Sequence, residues 1–158
     1  MIDRSPVVVR LADATEVRPL RMSVLRPGQP VEASDYDALP DTRHLGAFAG
    51  DVVVGCASVF PSPHLEVGDA LSLDARSAWQ LRGMAVAPER RGTGVGALVL
   101  LAAIDLVRLA GAPLMWANAR VTALGFYQRL GFMIVGEEFT YGPLRLPHNL
   151  IVLPLQEG

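Results

Sequence analysis

The sequence is poor in cysteine and in surplus charge. Cys56 is the single cysteine among 158 residues, which excludes an internal disulfide and suits the reducing environment of the cytoplasm. The formal net charge is −2, so the chain has no overall positive field of the kind that attracts proteins to nucleic acid. We therefore expect a cytoplasmic protein that does not bind nucleic acid.

Long apolar runs are also missing. The longest, from Val95 to Ile104, is too short to span a bilayer and is followed at once by Asp105. Near the start, Asp3 and Arg4 precede only three valines, so the sequence lacks the apolar core of a signal peptide. The sequence therefore predicts no association with a membrane.

Two common catalytic arrangements are absent as well. The histidines His44, His64 and His148 are scattered and have no cysteine at ligand spacing, so we expect no metal site. No Gly-x-Ser-x-Gly elbow is present, which leaves Ser-His-Asp hydrolysis without support.

The composition is that of a globular chain. Apolar residues make up 51% and charged residues 19% of the sequence, which excludes a disordered tail. The length suits one domain with a sizeable core, and no interior linker or repeat indicates a second. We expect residues 1–158 to form a single domain.

A glycine-rich bend past the middle of the chain carries the strongest functional signal. An apolar stretch at 81–87 leads through Pro88-Glu89-Arg90-Arg91 into alternating glycines at 92, 94 and 96 and then an apolar helix. Glycine permits positive φ and leaves backbone N–H groups accessible, and a helix N-terminus adds unpaired N–H groups and a positive dipole end. This pattern predicts a phosphate or pyrophosphate site, with Arg90 and Arg91 adding positive charge at its rim.

Glycine-rich loops bind several kinds of phosphate. The loop of nucleotide triphosphatases needs Gly-Lys-Ser/Thr, which is absent here. Gly92, Gly94 and Ala97 satisfy the dinucleotide fingerprint G-x-G-x-x-G/A. However, residues 88–91 separate the strand from the first glycine, and no acidic residue lies about 20 positions further on. A nucleotide-binding fragment is therefore an alternative with weaker support.

Two motifs match another family better. Arg91-Gly92-Thr93-Gly94-Val95-Gly96 resembles the R/Q-x-x-G-x-G/A acetyl-CoA loop of the GNAT superfamily of N-acetyltransferases. Residues 125–132, Gly-Phe-Tyr-Gln-Arg-Leu-Gly-Phe, resemble the F-Y-x-x-x-G-F helix of that superfamily. The two motifs occur in the expected order, and the resemblance covers roughly residues 44–155.

The alternation of strand and helix patterns predicts an α/β (α+β) fold, a mixed sheet flanked by helices. Strands are predicted at 6–12, 44–49, 51–60, 77–86, 114–118, 132–141 and 148–155. Helices are predicted at 13–25, with a kink at Pro19 or a start nearer to it, and at 94–110 and 120–130, with a helical turn at 34–39 and a loop at 61–74. The resemblance implies a mostly antiparallel, six- to seven-stranded sheet that is splayed between its fourth and fifth strands.

The resemblance also implies a set of site residues. Tyr127 corresponds to the tyrosine that protonates the departing thiolate, although a ring that only fills space between helix and sheet is an open alternative. Asn118, at a strand end, would contact the cofactor or else cap the following helix. The remaining residues belong to the bulged fourth strand and the loop, and would bind acetyl-CoA: Met84, Ala85, Val86, Arg91, Gly92, Thr93, Gly94, Val95 and Gly96.

No motif fixes the general base. The candidates are carboxylates or imidazoles near the expected acceptor region: Glu137, Glu138, His44 and His148. By strand alternation, one of the two glutamates should face inward. Arg21 and Arg26 could face an acidic acceptor or lie on a solvated helix face. The base stays unassigned.

The sequence therefore predicts an N-acetyltransferase that moves an acetyl group from acetyl-CoA to a primary amine of a small molecule or a peptide. A non-catalytic acyl-CoA-binding module is the alternative, since a binding loop alone does not require acceptor chemistry. No motif identifies the acceptor. Many members of the superfamily form homodimers, and the sequence has no apolar patch that decides for or against a homodimer.

Overall fold

Seven strands and four helices account for most of residues 4–155, the part of the chain that the computed structural model describes. The strands are β1 (Val8–Ala12), β2 (Arg43–Ala49), β3 (Val52–Pro61), β4 (Trp79–Val86), β5 (Leu114–Arg120), β6 (Met133–Tyr141) and β7 (Leu146–Pro154). The helices are α1 (Ala14–Leu25), α2 (Leu65–Leu71), α3 (Val95–Leu109) and α4 (Leu124–Arg129). None of the helices within residues 4–155 is long and apolar enough to cross a membrane.

The strands form one sheet in the order β1-β2-β3-β4-β5-β7-β6. The pairs β1–β2, β2–β3, β5–β7 and β6–β7 are antiparallel. The strands β4 and β5 are parallel, with Trp79 opposite Met115 and Gln80 opposite Trp116. The predicted mixed, mostly antiparallel sheet flanked by helices is confirmed. This parallel pairing involves the first two residues of β4.

The described chain divides into two compact units. The first contains the chain up to Phe60 together with Leu81–Leu106, and the second contains Pro61–Gln80 together with the chain from Val107 onward. The expectation of one domain over residues 1–158 stays a prediction.

In the first unit, α1 begins directly after Asp13, as the capping-box spacing predicts, and not near Pro19, which lies inside the helix. The backbone N–H of Asp13 donates to Glu16 Oε1 at 2.9 Å, which is half of a capping box that satisfies an otherwise unpaired donor. One face of the helix packs into the core, where Val17, Cys56 and Ala85 are buried together. The predicted helical turn is also present, as a single 3-10 turn at Asp35–Ala38.

In the second unit, the core contains Val67, Ala75, Ala78, Leu114, Trp116 and Val152. The predicted loop at 61–74 is wrong for Leu65–Leu71, which form α2. His64 Nδ1 caps this helix by accepting the Val67 N–H at 3.3 Å. A Cβ added to Gly68 would lie 2.6 Å from the Leu73 carbonyl oxygen, so only glycine fits there. Tertiary packing, which a seven-residue pattern does not reveal, therefore stabilises α2.

Two helices end at the glycines that the sequence predicts. Gly131 has φ +101°, and the N–H groups of Gly131 and Phe132 donate to the carbonyls of Gln128 and Tyr127 at 3.1 Å. This is a Schellman motif, which only glycine readily closes. Gly111, with φ +83°, ends α3 in the same way. The predicted helix 120–130 is shorter, because Val121–Ala123 form a 3-10 turn before α4.

Candidate active site

The predicted site residues fall in both units. The glycine-rich loop lies in the first unit and connects β4 to α3. Gly92 and Gly94 have φ +76° and +89°, which L side chains rarely adopt. The N–H groups of Arg91 and Thr93 donate to the carbonyls of Pro88 and Arg90 at 3.3 Å. The next donor in the chain with a backbone partner is Leu98, which begins the helical ladder by donating to Gly94.

Among residues 92–96, four backbone N–H groups therefore have no backbone partner within residues 4–155: those of Gly92, Gly94, Val95 and Gly96. They cluster at the N-terminus of a 15-residue helix, whose dipole adds partial positive charge. A Cβ built on Gly92 or Gly94 would meet no atom within 4 Å, so the loop is open on that side. Such an arrangement fits an anionic group such as a diphosphate.

The two loop arginines differ. Arg91 is exposed, in agreement with a charge at the rim of the loop. Arg90 is only 2% exposed, and its Nη1 donates to the Ser5 carbonyl oxygen at 2.7 Å. The prediction that Arg90 lies at the rim is therefore wrong. Its side chain instead ties the loop to the segment before β1.

The strand β4 contains a left-handed residue at Gly83, with φ +66°. Beyond it, the Ala85 N–H is hydrogen-bonded to Cys56, and the Ala87 N–H donates to Val54 on β3 at 2.9 Å. Successive N–H groups of a strand point to opposite edges. The N–H groups of Met84 and Val86 therefore point to the edge of β4 away from β3.

Cys56 is a core residue. Its side chain is 1% exposed, and Sγ–H donates to the Gly83 carbonyl oxygen at 3.5 Å. Burial raises the pKa of the thiol to about 12, so no thiolate is present at neutral pH. This thiol has no nucleophilic role.

A buried ion pair lies beside β4, and the sequence analysis did not predict it. Arg21 on α1 donates from Nη1 and Nη2 to the two carboxylate oxygens of Asp37, both at 3.0 Å. The two side chains are 3% and 5% exposed. Arg21 therefore lies neither on a solvated face nor opposite an external acid. One signal was available: Arg21 follows Val17 by four residues and so shares the inward face of α1.

Asp37 is the centre of a wider network. It also accepts from Arg18 at 3.2 Å and from the Ser34 N–H at 3.0 Å. Burial acts to raise the pKa of Asp37, but the hydrogen bonds from Arg21 and the Ser34 N–H, with the Arg21 charge, outweigh it, so this pKa is below its usual value. The carboxylate is therefore charged at neutral pH and fixes the loop before β2.

His44 completes this network. Its Nδ1 is 2.7 Å from Ser58 Oγ, and its Nε2 is 3.8 Å from Asp37 Oδ1. Burial lowers the pKa of His44, and the Asp37 carboxylate opposes this only in part, so the ring is neutral at neutral pH. Both ring nitrogens already face protein groups, which argues against His44 as the base.

In the second unit, Tyr127 lies on α4 and is 7% exposed. Its ring packs edge-on against Phe126 and Phe132, with centroids 5.2 and 5.5 Å away. Burial raises the pKa of Tyr127 well above its ordinary value, so the phenol stays protonated at neutral pH. The same burial and ring contacts also fit a side chain that fills the space between helix and sheet.

Asn118 lies on β5, half-buried and opposite Leu150 of β7. Two residues further along, Arg120 is opposite His148. Side chains at i and i+2 share a face of a strand, so Asn118, Arg120 and His148 lie on one face of the sheet. His148 is 7% exposed, and its Nδ1 is 2.7 Å from the Leu146 carbonyl oxygen.

Glu137 and Glu138 are both exposed, so the expectation that one of them faces inward is wrong. The pairing of β6 with β7 shifts register between Val135 and Phe139. Gly136, with φ +80°, lies inside this irregularity, and strict alternation does not hold across it.

Comparisons with known proteins agree with this geometry. A family model described as the acetyltransferase (GNAT) family matches residues 13–132. The uncharacterized N-acetyltransferase YitI of Bacillus subtilis (strain 168) is 29% identical over 133 residues, covering 83% of this chain and 85% of YitI. ElaA of Escherichia coli has the same fold, with a TM-score of 0.74 at 18% identity over 94% of this chain and 99% of ElaA. The yncA structure from Salmonella typhimurium, solved with its cofactor acetyl-CoA, has a TM-score of 0.70 at 20% identity over 98% of this chain and 96% of that one.

Proposed function

Because the chain belongs to the acetyltransferase (GNAT) family and is thus an acyltransferase, we propose that it transfers an acetyl group from acetyl-CoA to a primary amine of a small molecule or a peptide. One observation carries this proposal: four unpartnered backbone N–H groups cluster at residues 92–96, beside the positive end of α3. These donors match the anionic diphosphate of coenzyme A.

In this proposal the loop holds the donor. The N–H groups of Gly92, Gly94, Val95 and Gly96 bind the diphosphate, and the exposed Arg91 adds charge at the rim. Thr93 supports the loop from within, since its hydroxyl donates to the Arg90 carbonyl. When bound, acetyl-CoA supplies the thioester acetyl group that is transferred.

The amides of Met84 and Val86 are the proposed donors to the thioester carbonyl oxygen. They point away from β3, whereas the Ala85 N–H is engaged by Cys56. Backbone donors that are fixed before the reaction stabilise a developing oxyanion without reorganisation. We therefore propose that Ala85 contacts acetyl-CoA only as part of the surface of β4 and donates no hydrogen bond to it.

Tyr127 is the proposed general acid, and Asn118 the proposed polar contact for the cofactor arm. The Tyr127 phenol is protonated at neutral pH and so carries the proton that the departing thiolate requires. Replacing Tyr127 with phenylalanine should lower kcat by about 10²–10⁴-fold while leaving acetyl-CoA affinity intact. An unchanged kcat would remove Tyr127 from the mechanism and leave only its packing role.

The direct test is release of free CoA from acetyl-CoA across a panel of amines. We would use n-butylamine, spermidine, free amino acids and a lysine-containing peptide, and identify the acetylated product by mass spectrometry. Release that depends on the amine supports the proposal. Tight acetyl-CoA binding without release on any amine would instead favour a non-catalytic acyl-CoA-binding module.

A thermal-shift comparison tests the choice of ligand. A ligand at 100 times its Kd stabilises the folded state by about 2.7 kcal/mol, which is readily measured. Acetyl-CoA should raise the Tm and NAD should not; the opposite result would favour a dinucleotide site. We also propose a cytoplasmic location, supported by the single buried thiol of Cys56, which fits a reducing compartment.

A further inference from the structure

His148 on β7 has one fixed and one available ring nitrogen. Its Nδ1 is 2.7 Å from the Leu146 carbonyl oxygen, and a carbonyl can only accept. In the neutral ring, the proton therefore lies on Nδ1, and Nε2 carries the lone pair. Within residues 4–155, no protein group is hydrogen-bonded to Nε2. The buried side-chain atoms that lack a hydrogen-bond partner in this part of the chain are Arg21 Nε and Arg90 Nε, and His148 Nε2 is not one of them.

Aromatic side chains of β6 hold the imidazole in place. The Phe139 ring lies nearly parallel to it, at 25° with centroids 6.3 Å apart. The Tyr141 ring meets it edge-on, at 75° and 5.3 Å. With only 7% of His148 exposed, the ring orientation is set by packing on one side and by the Leu146 carbonyl on the other.

The register of β5 and β7 places His148 close to a proposed cofactor residue. Asn118 is opposite Leu150, and His148 precedes Leu150 by two residues. Asn118 and His148 are thus diagonal neighbours on one face, a relation that separates side-chain positions by about 7–8 Å. His148 therefore lies next to the residue that is proposed to contact the cofactor arm.

We propose that His148 is the general base of the acetyl transfer, an inference that rests on the proposed function. The amine nitrogen forms a bond to the acetyl carbonyl carbon, and the carbon–sulfur bond breaks. The proton that the amine loses passes to His148 Nε2, directly or through one water, and then to solvent. The thiolate takes its proton from the Tyr127 hydroxyl, and the resulting phenolate regains a proton from solvent, so the products are an amide and a free thiol.

The other sequence candidates fit this role less well. Both nitrogens of His44 face Ser58 and Asp37. The two glutamates of β6 are exposed, with no group that orients them in the described structure. His148 alone combines an oriented ring with an available acceptor nitrogen.

The test compares His148→Asn with a matched control, His64→Asn. The amide nitrogen of asparagine can replace Nδ1 as donor to Leu146, but it cannot take up a proton. His64 Nδ1 accepts the Val67 N–H at the start of α2, and asparagine serves equally well at that position. Steady-state kinetics would use the amine of the panel above that gives the highest kcat/KM.

We expect His148→Asn to lower kcat/KM by at least about 100-fold, the lower range for acid–base catalysis, with acetyl-CoA affinity unchanged. Added imidazole should restore part of the rate, which a merely structural role of His148 would not allow. Arg120 is opposite His148 on β5, and the Tyr141 ring meets the imidazole edge-on, so kcat/KM is also measured for Arg120→Gln and Tyr141→Phe to separate the effects of these neighbours from that of His148. His64→Asn should behave as wild type.

The outcomes separate the two proposals. A wild-type protein that acetylates no amine overturns the proposed function and this inference together. A wild-type protein that is active, with a His148→Asn variant within about tenfold of it, overturns this inference alone. A failure of added imidazole to restore any activity of the His148→Asn variant also overturns this inference. Long-range 1H–15N spectra give a readout that needs no acceptor: a neutral His148 ring protonated on Nε2 would also refute the proposal.

Discussion

Replacing Asp37 with asparagine should destabilise the protein strongly, because it leaves the Arg21 guanidinium buried without a counter-charge. The two side chains are 3% and 5% exposed and share two hydrogen bonds of 3.0 Å. Breaking a buried ion pair from one side costs about 3–5 kcal/mol, and asparagine keeps one acceptor, so we expect about 3 kcal/mol. In a chain of this length, such a loss lowers Tm by about 6–12 °C.

Urea unfolding followed by tryptophan fluorescence measures this loss as a lower midpoint at an unchanged slope. Asp35→Asn is the matched control, since Asp35 is 88% exposed and lies 3.5 Å from Arg82. A surface pair of this kind contributes about 0–1 kcal/mol. Adding Arg21→Met to Asp37→Asn removes the unpaired charge and should recover part of the stability.

Two results would refute this reasoning. Equal losses in Asp37→Asn and Asp35→Asn would show that burial does not amplify the interaction. A double variant no more stable than Asp37→Asn alone would show that the unpaired Arg21 charge is not the cause of the loss.

Three further changes test the backbone and the pH dependence. Gly83→Ala should lower the free energy of unfolding in urea more than Gly50→Ala does. The positive φ costs about 1–2 kcal/mol at each of the two positions. Of the two, only Gly83 would place the added Cβ against a side chain, a tyrosine hydroxyl at 2.9 Å. Gly94→Ala should weaken acetyl-CoA binding in calorimetry, whereas Gly111→Ala, with a similar φ and equally open space, should leave it unchanged. Burial lowers the pKa of His44 in the folded protein. Below about pH 6.5, the unfolded chain therefore binds a proton at His44 that the folded protein does not bind. The free energy of unfolding should fall as the pH drops through this value. The His44→Gln variant should lose less stability between about pH 7.5 and 5.5, and an equal loss would contradict this assignment.

Local signals predicted most of the secondary structure. The Asp13 and Glu16 spacing located the start of α1, and Gly131 located the end of α4, because capping depends on residues adjacent in sequence. The helix α2 escaped prediction because it is short and its stability comes from packing. Its Val67 is 1% exposed and lies in the core of the second unit.

The glycine-rich loop and the Arg21–Asp37 pair show the same division within the candidate site. A loop with positive φ at Gly92 and Gly94 is a local property, so its open N–H groups could be predicted from the glycine spacing. The ion pair joins residues sixteen positions apart, and only the fold brings them together. The sequence therefore predicted the open N–H groups of the glycine-rich loop but not the ion pair that fixes the loop before β2.

The histidines show why residue type alone could not assign the base. His64 uses Nδ1 to cap α2, and His44 faces protein groups with both nitrogens. His148 has Nδ1 bound to a carbonyl and Nε2 available, so it is the one of these three that can both hold its orientation and take up a proton. A histidine can act as a base only if one ring nitrogen is available as an acceptor. Which nitrogen is available depends on contacts such as the one with the Leu146 carbonyl. Such contacts follow from the β6–β7 hairpin, and no sequence motif predicts them. Substituting the partner instead of the histidine is uninformative, because a carbonyl belongs to the backbone; the proton position on the ring is therefore the most direct physical test of the assignment.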